Sequence, residues 1–116
     1  MSERPKIARK FGRSSVDCEA VLVFPSRNAR PRIRAQLIQI GKGGCALSTT
    51  EKLYIGEDCL VWAVGGGQKY LGTAGRIVWA QPFYAGQQTL VVGVEFKESI
   101  ELSNDLLTRL RAKQQS

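Results

Sequence analysis

Leu90-Val91-Val92-Gly93-Val94-Glu95-Phe96 alternates with period two. Leu90, Val92, Val94 and Phe96 share one face; Val91, Gly93, Glu95 and Lys97 share the other. That periodicity belongs to a strand with one face on a core. Val16 to Phe24 repeats it: Val16, Cys18, Ala20, Leu22 and Phe24 face one way, Asp17 and Glu19 the other. Working outward from these two runs gives six strands. Pro25-Ser-Arg-Asn-Ala-Arg-Pro31 breaks the first strand into a hairpin loop. Arg32 to Ile40 is the second strand, with Ile33, Ala35 and Leu37 facing inward. Its parity blurs at Ile38–Ile40, the mark of a bulge or of the strand's end. Cys45 to Leu47 is a short third strand, and Cys59 to Val64 is a continuous apolar fourth, closed by Gly65-Gly66-Gly67. Lys69 to Ala80 is a long fifth strand containing Gly72 and Gly75, where bends or close backbone approach are expected. Pro82 to Gln88 reads as a loop before the sixth strand.

The period then changes. Leu102, Leu106, Leu107 and Leu110 recur at helical spacing. Ser103 or Asn104 can cap the start, Asp105 suits the first turn, and Arg109, Arg111 and Lys113 suit the last. The fold expected is all-β with a C-terminal helix: a small six-stranded antiparallel β-barrel over residues 16–116, the helix at about 100–113. Residues 1–15 are polar and basic, and read as a flexible arm.

A chain of 116 residues with a 43% hydrophobic fraction is one globular domain. No apolar run approaches the ~18 residues of a membrane span, and the basic N-terminus lacks the apolar segment of a secretory signal. No membrane insertion and a cytoplasmic location are expected. Cys18, Cys45 and Cys59 fall in apolar strands without CxxC spacing, and there is no histidine. They read as small buried hydrophobes, with no metal site and no cofactor expected. Lacking histidine, the chain also lacks the usual general base, so no enzyme is expected.

The formal charge of +7 is uneven. Residues 1–34 hold nine basic side chains against Glu3, Asp17 and Glu19. The remaining 82 residues hold eight basic and seven acidic. An anionic partner is therefore sought near the N-terminal third. Two features stand out there: Arg9-Lys10-Phe11-Gly12-Arg13, and the glycine turn Gln39-Ile40-Gly41-Lys42-Gly43-Gly44. Arginine grips phosphate, or guanine O6 and N7, with two parallel hydrogen bonds. Glycine admits close backbone approach.

RxxxR in a basic arm, a hairpin, a glycine turn, then Gly75-Arg-Ile-Val-Trp79, Gly93-Val-Glu-Phe96 and a short helix together resemble the PilZ domain family over nearly the whole chain. The resemblance implies a six-stranded PilZ-like barrel serving as a receptor for cyclic di-GMP. The family signature is RxxxR followed by [D/N]xSxxG. The arginines fall on Arg9 and Arg13, and the last glycine on Gly44. Gln39 stands where the family has Asp or Asn, and Gly41 where it has Ser. The implied ligand-binding set is Arg9, Lys10, Arg13, Gln39, Gly41, Lys42, Gly43 and Gly44. Arg30 to Arg34 also fits RxxxR, but lies too close to Gln39 to be the arm.

An Asp or Asn would accept from the guanine N1–H and N2–H; Gln39 offers one carbonyl on a longer stem. That difference costs about 1–3 kcal/mol, by analogy with a bidentate base contact. The missing hydroxyl at Gly41 costs about 0.5–1.5 kcal/mol more. Together they weaken binding by about one to three orders of magnitude relative to an intact motif. Lys42 and the backbone N–H groups of the turn can recover part of this.

Three functions stay open on sequence alone. The first is a cyclic di-GMP receptor, monomer or weak homodimer, whose arm closes on the ligand. It would present a surface to a downstream protein effector of motility, pili or exopolysaccharide output. The second is an adaptor acting through protein contacts without nucleotide, suggested by Gln39 and Gly41. The third is a nucleic-acid-binding barrel, from the basic third and aromatics such as Tyr70 and Trp79. Aromatic and basic residues do not alternate on one face, so no DNA partner is expected. Trp62 and Trp79 read as core or barrel-wall residues.

Overall fold

The computed structural model describes residues 13–85 and 87–111. Six strands occupy this span: β1 (Ser14–Val23), β2 (Arg32–Ile40), β3 (Gly44–Thr49), β4 (Asp58–Gly65), β5 (Gln68–Ala85) and β6 (Gln87–Phe96). One helix follows, α1 (Asn104–Arg111). Neighbouring strands are all antiparallel, and the order β1-β2-β3-β6-β5-β4 closes on itself. Closure through β1 and β4 removes the exposed edges an open sheet would leave.

The alternation in the sequence places the core. Val16, Cys18, Ala20 and Leu22 of β1, Cys59, Val61 and Ala63 of β4, and Val92, Val94 and Phe96 of β6 all point inward and are buried. The three cysteines are core residues, as their apolar settings imply. Burial pushes the Cys45 thiol up, and the Cys59 thiol up to about 12.

Four boundaries differ most from the sequence reading. The helix expected from about residue 100 starts at Asn104, because the Ser103 side chain caps it there. β1 begins at Ser14, so Ser14 and Ser15 belong to the barrel; they carry no apolar alternation and are recruited by pairing with Ile40 and Gln39. β3 extends to Thr49. The largest correction is at Pro82–Gln88, which is not a loop. There β5 continues to Ala85 and β6 starts at Gln87, with Pro82 opposite Leu90 and Ala85 opposite Gln87. The pairing of β5 with β4 ends at Arg76–Asp58, so the far half of β5 is an edge, where proline is tolerated.

Ser103 caps α1: its Oγ accepts from the Leu106 N–H at 3.1 Å. The helix packs mainly on β1, buries Leu110 completely, and ends with Arg111 Nε donating to Ser15 O at 3.0 Å. Arg27 joins the two loops at the opposite end of β1. Its guanidinium forks onto both carboxylate oxygens of Glu57 (2.9 and 2.6 Å) and lies 4.3 Å from the Phe24 ring centroid. The Arg27 guanidinium holds the Glu57 carboxyl below its ordinary range.

Candidate ligand-binding site

The start of β1 and the end of β2 lie side by side, with Ser14 opposite Ile40 and Ser15 opposite Gln39. This brings Arg13 onto Gln39: Arg13 Nη1 donates to Gln39 Oε1 at 3.4 Å, across 26 positions of sequence. Both are half-buried. Arg9 and Lys10 lie outside the described residues.

The glycine turn closes directly after β2. The Gly41 N–H donates to Gly44 O at 2.8 Å, and both residues are buried. The turn is held from behind: Gly43 O accepts the Phe96 N–H and Lys42 O accepts the Ile100 N–H, each at 2.9 Å. These two carbonyls are thus committed to the scaffold, while the Lys42 side chain is exposed. A hollow of about 320 Å³ lined by Lys42, Ser99, Ile100, Glu101, Leu102 and Ser103 lies beside it.

Among the described residues, Arg27, Arg30, Arg76, Lys97 and Arg109 all have carboxylate partners, whereas no ion pair involves Arg13 or Lys42. Arg30, the other candidate RxxxR arginine, reaches Glu51 at 3.4 Å near the far end of β2. About 20 Å of strand separates that end from Gln39.

One part of this wall was not read from the sequence as a site. The register aligns Ser15, Gln39, Ala46, Gly93 and Trp79 in one row across five strands. Ala46 and Gly93 make a floor of minimal height between Gln39 and Trp79. A Cβ on Gly93 would lie 2.0 Å from Trp79 Nε1, so the indole rests on that glycine. The Nε1–H is buried and has no hydrogen-bond partner among the described residues. Strict alternation would turn both Gln39 and Trp79 inward, with Leu37 and Ile77. Register shifts between Leu37 and Gln39 and between Ile77 and Trp79 turn both outward instead. The blurred parity at Ile38 signalled the first bulge; nothing in the alternation signalled the second.

The chain belongs to the PilZ domain family, whose match runs over residues 7–112. Its barrel with a terminal helix is the PilZ fold. Two solved structures are similar to it. One is the Bacillus subtilis inhibitor of motility (MotI/DgrA), with a TM-score of 0.60 and 13% identity, covering 99% of this chain and 52% of that one. This chain therefore spans about half the length of that protein. The other is the PilZ domain of YcgR from Escherichia coli, solved with c-di-GMP, with a TM-score of 0.57 and 13% identity, covering 88% of this chain and 85% of that one. A search of curated protein sequences finds no match. Among the described residues no helix is long and apolar enough to cross a membrane, and no cluster of three or more metal-ligating side chains occurs.

Proposed function

We propose that this protein is a receptor for cyclic di-GMP that passes the signal to a protein effector controlling motility, pili or exopolysaccharide output. The observation that carries this is Arg13, which lies against Gln39 on the outer wall with no carboxylate partner among the described residues. A guanidinium held by one neutral carbonyl keeps donors to offer a phosphate or a guanine edge. Lys42 adds positive field beside it. Arg9, on the arm, closes over the bound ligand in this reading, supported by the family's RxxxR signature and by the c-di-GMP bound to the E. coli domain.

Gln39 and Gly41 make this a weakened site. Gln39 Oε1 already accepts from Arg13, so it meets a guanine only by sharing or releasing that bond. Titration calorimetry with cyclic di-GMP is the test. Wild type gives saturable heat, the Arg9→Ala/Arg13→Ala pair gives none, and Gln39→Asp/Gly41→Ser tightens binding by about one to three orders of magnitude. Equal, negligible heats from wild type and the arginine pair overturn the receptor reading. The same two residues favour a second reading, an adaptor that works through protein contacts alone. Binding that appears only after Gln39→Asp/Gly41→Ser supports the adaptor.

A further inference from the structure

β4 carries an unbroken apolar run from Cys59 to Val64. Cys59, Val61 and Ala63 take the inward positions and are buried. Leu60, Trp62 and Val64 therefore stand on the outer wall, each half-buried. The register sets β1 beside them in kind: Val21 is opposite Trp62, and Val23 is opposite Leu60. Five apolar side chains thus form one strip where the wall of an antiparallel barrel ordinarily alternates to polar residues. A contiguous apolar patch of this sort marks a surface meant to be covered.

The strip is ordered and bordered by charge. A Cβ on Gly72 would lie 2.1 Å from Trp62 Cζ3, so the indole lies over Gly72, and Lys69 Nζ sits 4.4 Å from the ring centroid. On the other border, Arg34 is opposite Val21 and Arg32 is opposite Val23. Both arginines are exposed, and among the described residues no ion pair holds Arg32, Arg34 or Lys69. The one acid on the same rows is Glu19, opposite Val64 at one end.

We propose that this strip is a docking surface for an acidic amphipathic segment of a partner protein. Its apolar side chains cover Val21, Leu60 and Trp62, and its carboxylates meet Arg32 and Arg34 on one border and Lys69 on the other. Charge selects this occupant. A second copy of the chain would set cations against cations, whereas complementary potentials favour encounter and register. The surface is separate from the ligand row, which meets β1 only at Ser15 and does not reach β4, so the inference does not depend on nucleotide binding.

The test uses the full chain and a fluorescein-labelled synthetic helix of about 18 residues, leucine on one face and glutamate on the other. Fluorescence anisotropy is expected to show saturable binding. Arg32→Glu/Arg34→Glu and, separately, Val21→Thr/Leu60→Thr each weaken it by about tenfold or more. Arg109→Glu, on α1 rather than on β1, β2, β4 or the Lys69 border, leaves it unchanged, and a lysine-for-glutamate peptide does not bind. Urea melts establish that each variant is folded. Absence of binding, or binding that survives both sets of substitutions, overturns the proposal. So does a dimer in sedimentation equilibrium that Leu60→Thr dissociates, which makes a second copy the occupant. Binding to phosphatidylglycerol vesicles through these residues, without peptide binding, overturns it in favour of a lipid surface.

Discussion

Gly72 and Gly75 lie three residues apart on β5 and face different constraints. At Gly75 a Cβ would meet Val94 Cγ1 at 2.5 Å and the backbone oxygen of Glu95 at 2.8 Å. Neither can yield without moving β6, because Gly75 is paired with Phe96 on that strand. At Gly72 the obstacle is the Trp62 ring, a half-buried side chain able to swing into solvent. Gly75→Ala is therefore expected to cost about 2–3 kcal/mol, at the upper end of overpacking effects, and Gly72→Ala about 1 kcal/mol or less. Urea unfolding of the two variants measures the difference. Trp62 fluorescence should shift to longer wavelength in Gly72→Ala alone. At the same scale, the Trp79 N–H is a buried donor without a partner among the described residues, and it lies on the row that also carries Gln39.

At the scale of elements, two bulges and one helix shape the candidate site. The bulges on β2 and β5 turn Gln39 and Trp79 to the outside of the same wall, on either side of Ala46 and Gly93. α1 then closes the corner from beneath. It is capped by Ser103, buries Leu110, and binds Ser15 O through Arg111, on the residue paired with Gln39. Leu110→Ala is expected to cost about 2–4 kcal/mol as a fully buried leucine, and Ser103→Ala about 1 kcal/mol through loss of the cap. Urea unfolding checks both. Hydrogen exchange at Ser14 and Ser15 should rise in Leu110→Ala, because the strand end loses its cover. Much of this level was readable in advance: the strands, the helix and its cap follow from periodicity and end residues. The extension of β5 and β6 through Pro82 to Gln88 was not, because it depends on β4 stopping at Asp58 and leaving an edge.

For the whole molecule, closure of the barrel makes the core one unit. Cys18, Cys45 and Cys59 come from β1, β3 and β4, and all three side chains are buried in it. Burial raises the Cys45 thiol, and takes Cys59 from 9.0 to about 12. A thiol raised on folding stabilises the native state fully below its unfolded value, and that contribution is lost as pH rises from about 9 toward the folded value. Iodoacetamide at pH 8 should therefore label none of the three in the native protein. All three should become labelled together along the urea transition that far-UV circular dichroism reports, as a single cooperative core requires. Earlier labelling of one cysteine would show that its strand opens separately.

The sequence by itself determined the six strands, the helix, the buried cysteines and the family. Each is written in local periodicity, in end residues, or in motifs of fixed order such as Arg9-xxx-Arg13 and the glycine turn. It also carried the departures from the family signature at Gln39 and Gly41. Only the tertiary structure decided which way Gln39 and Trp79 face, and that β1 and β4 share an apolar outer wall. Period-two alternation fixes which residues share a face only while strand register is unbroken. A one-residue bulge reverses that assignment downstream, and it is set by pairing with a distant strand rather than by neighbouring residues.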